Sequence, residues 1–510
     1  MKKQISMLVF ALCMVLALTA FTVGIAAALP EGYDGYTEIN DEADLRSLLM
    51  GSTDAAALAG KYVLTADITI EGTDAQSPIG TTATPFTGVF DGCNHKISGI
   101  KLSGAANIGF FGVTKGATIK NLTLEGEVEA NGQYVGGFIG QALFPLTLDS
   151  CKNMVKVKGV SFVGGFIGKA VSQQNQTLKV ASCTNYGTTT ATDAKNGRAG
   201  GLAGVIEIGP AKSGISNATV EIAGFINAKK ATVTAPTMAG GVAGRIECGS
   251  AHKAGTITAT NCENYANVSA TGAGTAGGIF GLADNNSTTT KSFSGLHNGG
   301  EISSAGMYVG GLVGYLRVYS GGGKTMTFAD CANTGKIIDS SNKGYAAGLF
   351  GTSQPQAGAI YMKRLYNAGD VQSSGSYTGA ISGRYNANTT PENCYYLAGL
   401  SVSDTNGASA VVLASSVEEN ENLFSALNQS TAWKIEKNGP KLAALHVCAY
   451  DDATQLCTIC GEKDPSVCSH DNRGSVTTKP ATCTETGLQN TVCNDCKKVL
   501  ETDVEVPLNP

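Results

Sequence analysis

The sequence predicts an all-β protein, a parallel β-helix or β-solenoid with short helical caps and a small Cys-rich C-terminal module. Three observations predict it. A Gly-Gly heptapeptide recurs along the chain as Tyr134-Val-Gly-Gly-Phe-Ile-Gly140, Phe162–Gly168, Arg198–Gly204, Met238–Gly244, Thr275–Gly281, Tyr308–Gly314, Tyr345–Gly351 and Tyr377–Gly383, with a degenerate first copy at Asn107–Gly112. Between successive copies lies a second column: Cys151-Lys-Asn153, Cys183-Thr-Asn185, Phe225-Ile-Asn227, Cys262-Glu-Asn264, Leu296-His-Asn298, Cys331-Ala-Asn333, Leu365-Tyr-Asn367, and a closing Asn393-Cys394. The text around both columns is short Val/Ile/Thr runs broken by Gly and Asn, with almost no helical periodicity. A stride of about 28 to 40 residues is that of a stacked array, in which each coil buries its apolar edge against the next.

Taken in chain order, residues 1–28 read as a signal peptide. Met1-Lys-Lys-Gln is basic, Ile5 to Ala28 is apolar, and Ala26-Ala-Ala28 supplies small residues for cleavage. An uncleaved N-terminal anchor is the alternative, because the apolar run is long. Residues 29–85 are expected to form the N-terminal cap and first coil. The amphipathic segment Asp41–Met50, with Leu45, Leu48 and Leu49 on one side, is its helix.

Residues 86–400 form the solenoid proper. The apolar slot occupied by Cys, Leu or Phe points inward, where cysteine acts as a small hydrophobe. Each coil should offer two or three short strands, paired in parallel about 4.8 Å apart. Asn153, Asn185, Asn264 and Asn333 are expected to form a ladder at a corner, their amides bonding the backbone of the next coil. Gly136, Gly137, Gly140, Gly164, Gly165 and Gly168 suit a corner needing positive φ or a very close approach between coils. A phosphate loop would need a following helix and usually a lysine, and neither is present.

The Gly-[Leu/Phe/Ile/Val]-x-Gly core resembles the GLUG repeat of bacterial surface proteins, which also occurs beside the peptidase domain of IgA-cleaving metallopeptidases. Gly60–Ile70, Phe86-Thr-Gly-Val-Phe-Asp-Gly92 and Lys96–Ile100 resemble the lead-in to such repeats, with Cys93 standing where Asn is more usual. The resemblance covers about residues 35 to 440. It implies architecture, and it leaves activity open because the motif is a scaffold.

After Tyr395-Tyr396 the repeat fails, and residues 401–445 are expected to cap the stack, with a helix over 418–428 and a strand at Ala432–Glu436 carrying the one Trp. The tail, 446–510, holds seven cysteines between Cys448 and Cys496. Two sets of tetrahedral S/N ligands are available: His446, Cys448, Cys457 and Cys460, and His470, Cys483, Cys493 and Cys496. Neither leaves an open position, so zinc there would be structural. Disulfides are the competing reading, favoured by an oxidising exterior. The tail also resembles Cys-rich repeats at the ends of surface proteins of Gram-positive anaerobes, and it stops in mid-repeat.

Function is read from the same residues. With 15% charged residues and a net charge of −5, no basic patch invites nucleic acid. There is no His-Glu-x-x-His, so the peptidase of the family's best-known members is not carried here. His95, His252 and His297 are scattered singly and expected at the surface or at corners. Asp284, Asp330, Asp370 and Arg384 do not share one repeat position, as a glycosidase or lyase site would require. The expectation is a non-enzymatic extracellular or cell-surface protein with no catalytic cofactor. It would present a spacer or binding surface to glycans, mucin or host protein, and touch a membrane only through an uncleaved signal. The alternatives are a carbohydrate-active hydrolase or lyase, or the non-catalytic part of a larger surface peptidase. The column just before each Gly-Gly core supplies a candidate face: Tyr308, Tyr345 and Tyr377 in one run, Tyr134 and Phe162 in another. Arg198 and Thr275 in that column argue for solvent at a coil edge. Aromatic rows of this kind suit sugars or a partner.

Overall fold

The fold is taken from a computed structural model, which describes residues 29, 31–72, 74–172, 175–209, 217–250, 252–289, 291–319, 324–341, 344–356, 358–386, 388–403, 408–451, 453–462, 473–482, 484–493 and 499–508. The expected signal segment 1–28 lies outside them. From Thr37 to Val411 the chain winds as one parallel solenoid. The repeat columns set the register: Phe162 pairs with Arg198, Arg198 with Met238, Met238 with Thr275, Thr275 with Tyr308, Tyr308 with Tyr345, and Tyr345 with Tyr377.

The coils from Phe162 to Ser304 each contain five short strands rather than two or three. In one they are Thr275–Gly277, Phe280–Asn285, Lys291–Ser294, His297–Asn298 and Ile302–Ser304. The runs are subdivided because each coil turns sharply at the Gly-Gly pair and again before the Cys column. Left-handed backbone recurs at that second corner: Ser150, Ser182, Gly224, Asn261, Gly295, Asp330, Arg364 and Asn393 all have φ between 51° and 64°. These residues immediately precede the Cys/Phe/Leu slot. The preponderance of Ser, Asn, Asp and Gly there was the available signal, since short polar side chains and glycine tolerate this conformation best.

The glycines of the heptapeptide have no positive φ, which corrects one of the two expectations for them. Close approach is the reason they are needed. A Cβ on Gly136 would sit 2.5 Å from the Phe166 carbonyl oxygen, one on Gly140 2.6 Å from the Ile108 nitrogen, and one on Gly165 2.6 Å from Asn185 Oδ1. A Cβ on Gly137, Gly164 or Gly168 would likewise collide with backbone.

The core is a single apolar column from Ile39 to Cys394. Cys151, Cys183, Phe225, Cys262, Leu296, Cys331, Leu365 and Cys394 are all buried in it, as the slot pattern requires. Burial pushes the Cys262 thiol up to about 12, so it packs as a neutral apolar group. Beside this slot runs an amide ladder. Asn153 Nδ2 donates to Asn185 Oδ1 at 2.7 Å, and the series continues through Asn227, Asn264, Asn298, Asn333 and Asn367 at 2.7 to 2.9 Å. The bond between coils runs from side-chain amide to side-chain amide, not from amide to backbone. The second amide proton serves the local carbonyl, as in Asn264 Nδ2 to Ala266 O at 3.0 Å. The series ends where Asn367 meets Tyr396.

The N-terminal helix spans Glu42–Leu48, capped by Asp41 Oδ1 accepting from the Asp44 amide at 2.9 Å. Leu45 and Leu49 are fully buried and Leu48 packs partly against the same core. At the other end, the helices Val417–Leu423 and Ser425–Asn428 and the hairpin Trp433–Glu436/Gly439–Leu442 form a second apolar cluster. This cluster packs on Ala332 and Tyr366, the middle residues of the Cys-x-Asn column. The segment therefore doubles back as a strap along one flank of the stack, where the sequence had suggested a closure of its end. Asp330 fastens it, accepting from Trp433 Nε1 at 2.9 Å and from Ser430 Oγ at 3.2 Å while paired with Arg364. Further on, Arg473–Lys479, Gly487–Cys493 and Val499–Val506 form a small antiparallel sheet.

Candidate functional site

Following the strap beyond Leu442 leads to the first predicted ligand set. His446, Cys448, Cys457 and Cys460 come together with their ligand atoms all within 4.8 Å of one another. Cys448 Sγ is 3.8 Å from Cys460 Sγ and 3.7 Å from His446 Nε2, and Cys457 Sγ is 3.5 Å from His446 Nε2. A tetrahedral zinc with bonds of about 2.3 Å to sulfur and about 2.0 Å to nitrogen gives edges of about 3.8 Å for S···S and about 3.5 Å for N···S. A disulfide would need the sulfurs at about 2.05 Å. These cysteines are free thiols, so the residues present can hold a metal ion.

Local backbone prepares the set. Burial opposes ionisation of Cys457, yet the Cys460 and Ile459 amides and the His446 ring hold its thiol down at about 6. The Ile459 N–H points at Cys457 Sγ from 3.4 Å. Of the second set, His470, Cys483 and Cys496 lie outside the described residues, and Cys493 is described only as backbone, at the end of the strand Gly487–Cys493.

The cluster sits on the solenoid through a residue the sequence reading passed over. Glu263, the middle residue of Cys262-Glu-Asn264, is buried, and its Oε1 accepts from the His446 backbone N–H while Oε2 meets His446 Nδ1, both at 2.8 Å. The Tyr265 hydroxyl donates to the same carboxylate at 2.8 Å. Tyr265, Cys457 and Cys460 form a small buried cluster with Ile226, Cys448, Tyr450 and Ile459 against it. An acidic side chain in a column otherwise holding Lys, Thr, Ile, His, Ala and Tyr was the signal. What made it legible was the returning strap, which no local pattern announces.

Between strap and coils lies a cleft of about 410 Å³ lined by Tyr265, His297, Thr334, Glu436, Lys441 and Glu462 among others. His297 is buried here rather than at the surface, because the strap covers it, and burial pulls its pKa down to about 4. His252 is buried too. Its Nε2 donates to the Ala218 carbonyl at 2.8 Å, leaving Nδ1 to accept from Lys291 Nζ at 3.3 Å.

The aromatic column is placed as follows. Tyr345 and Tyr377 stack at 4.4 Å and 5°, Tyr308 and Tyr345 lie at 5.2 Å and 30°, and Tyr315 stacks on Tyr308 at 4.6 Å. Tyr134 and Phe162 stack at 5.5 Å, with Arg198 over Phe162 at 5.0 Å. Tyr377 is exposed while Tyr308 and Tyr345 are half-buried, and Thr275 is buried, so the column is not a uniform solvent edge. The rings cover one another's faces. Arg384 lies over Tyr377 at 5.4 Å. On the next strand, Asp284 is buried between Arg245 and Arg317, with Glu247 alongside.

No protein-family model matches the chain, and no curated protein matches it. Among solved structures, a chain from Bacteroides ovatus described as a "putative immunoglobulin A1 protease" superposes with 18% identity and a TM-score of 0.33, over 81% of this chain and 93% of that one. The resemblance to the GLUG repeat rests on the repeat residues alone. Among the described residues, no helix is long and apolar enough to cross a membrane.

Proposed function

We propose that this is an exported, non-catalytic surface solenoid of a Gram-positive bacterium that presents one flank to glycans, mucin or a host protein, with structural zinc in its C-terminal strap. The observation that carries the reading is the aromatic column. Tyr308, Tyr345 and Tyr377 repeat in register on consecutive coils, their rings stacked, with the Arg384 guanidinium over the exposed Tyr377 ring. Such a row offers phenol hydroxyls, ring edges and a guanidinium at the spacing of the coils, which suits a polyhydroxylated or extended polar partner. The zinc reading is supported by the ligand spacing at His446, Cys448, Cys457 and Cys460.

The test is a glycan array and a mucin-binding assay on residues 29–510, comparing the wild type with the triple variant Tyr308→Ser, Tyr345→Ser, Tyr377→Ser. Because the rings stack, the triple change is expected to lower the melting temperature as well as binding. The triple Phe variant keeps the stack and removes only the hydroxyls, so it separates the two effects. Binding that survives both variants rules this face out.

A further inference from the structure

We propose that Glu263, a residue of the coil stack, is the carboxylate that anchors and orients a zinc ligand, so that metal binding at His446, Cys448, Cys457 and Cys460 fastens the C-terminal strap to the solenoid. This rests on the structural-zinc reading and adds a partner and a consequence to it.

The argument begins with hydrogen-bond chemistry. An ionised carboxylate only accepts. Glu263 Oε2, 2.8 Å from His446 Nδ1, therefore places the ring proton on Nδ1 and leaves the Nε2 lone pair free. That lone pair faces Cys448 Sγ and Cys457 Sγ, where a metal would lie. Fixing the tautomer and rotation of a ligating histidine is what a carboxylate in this position does in zinc sites. Glu263 is itself held: the Tyr265 hydroxyl donates to Oε2, and the His446 main-chain N–H donates to Oε1. Ring and backbone of one ligand are thus gripped by one side chain of the solenoid.

The remaining contacts make the grip local to the same coils. The Lys229 amide donates to the Ile459 carbonyl at 2.7 Å, next to Cys460, and the Tyr265 ring meets the His446 ring edge-on at 5.1 Å. A bound metal would join His446 to the Cys457–Cys460 turn, and through them Glu263 to Lys229. Without the metal these contacts are separate weak ones, since the cluster that joins strap and coils here is small. Zinc then controls whether the flank around Ile226, Tyr265 and His297 is covered.

The test uses reduced chain from residue 29 to 510 in a Cys493→Ser, Cys496→Ser background, so that a single set is read. Zinc affinity is measured by competition with a chromogenic chelator, and hydrogen exchange is followed across 226–231 and 259–266. The expected result is one zinc per chain, weakened about 10- to 100-fold by Glu263→Gln. Less than a fivefold loss would overturn the role of Glu263 while leaving the zinc reading intact. No zinc uptake by the parent chain would instead defeat the zinc reading. Should Glu263→Gln disturb the coils, the parent chain alone decides: stripping zinc is expected to speed exchange of the Lys229 amide at least tenfold, and unchanged exchange would overturn the clasp.

Discussion

The amide ladder makes a sharp energetic prediction at Asn264. Its Oδ1 accepts from Asn227 Nδ2 at 2.8 Å, and its Nδ2 donates to Asn298 Oδ1 at 2.8 Å and to Ala266 O at 3.0 Å, all without exposure to water. Asn264→Ala removes three hydrogen bonds, each about 1 kcal/mol net, and strips Asn227 Nδ2 of its ladder partner for about 1 kcal/mol more, so a loss of about 4 kcal/mol is expected. Asn264→Asp is the more telling change because it preserves shape. A carboxylate there faces the Asn298 and Ala266 oxygens with no proton to offer, and burial adds to the penalty. The folded-state pKa of the new carboxyl must therefore lie above its unfolded value of about 3.9, with each unit worth about 1.4 kcal/mol. The sign follows: the deficit is fully present above the folded pKa and shrinks as pH falls toward the unfolded one, when the acid proton restores a donor. We expect Asn264→Asp to be at least as damaging as Asn264→Ala at pH 7, and to recover relative to wild type by roughly 2 kcal/mol at pH 4. Denaturant unfolding followed by circular dichroism gives the totals. Hydrogen exchange locates the loss, since stacked coils melt in units linked to their neighbours. A gap that is small and indifferent to pH would refute the buried ladder.

Two further outcomes follow from the packing. Gly137→Val is expected to cost roughly 3 kcal/mol or more by collision with the Gly165 carbonyl and Asn153, seen as a lowered melting temperature; an unchanged melt would contradict the close approach of coils. His297 is buried neutral with a pKa of about 4 against about 6.5 when unfolded, so stability is retained above the unfolded value and lost as pH falls through the window between them, by up to about 3 kcal/mol. His297→Gln should flatten that part of the wild-type stability profile between pH 7 and pH 4, and a profile of unaltered slope would remove His297 as its cause.

Much of this protein was determined by its sequence because a solenoid translates sequence period directly into register. The column of Tyr134, Phe162, Arg198, Met238, Thr275, Tyr308, Tyr345 and Tyr377 could be aligned by eye, and parallel pairing places those residues side by side. The inward Cys slot, the Asn ladder and the His446–Cys460 ligand spacing were legible for the same local reason: each depends on residues a fixed step apart. What the tertiary structure alone decided involves contacts with no period. The strap doubles back over the flank, burying His297 and bringing Trp433 to Asp330 and His446 to Glu263 across 103 and 183 residues of chain. Such pairings depend on which surface the returning segment covers, and that is settled by apolar area and hydrogen-bond partners available only once the coils are stacked. The glycines show the division at a single position. Their columns announced a constraint, but that the constraint is collision with a neighbouring coil, and that positive φ belongs to Ser150, Asn261 and their equivalents instead, follows only from where the coils pass one another.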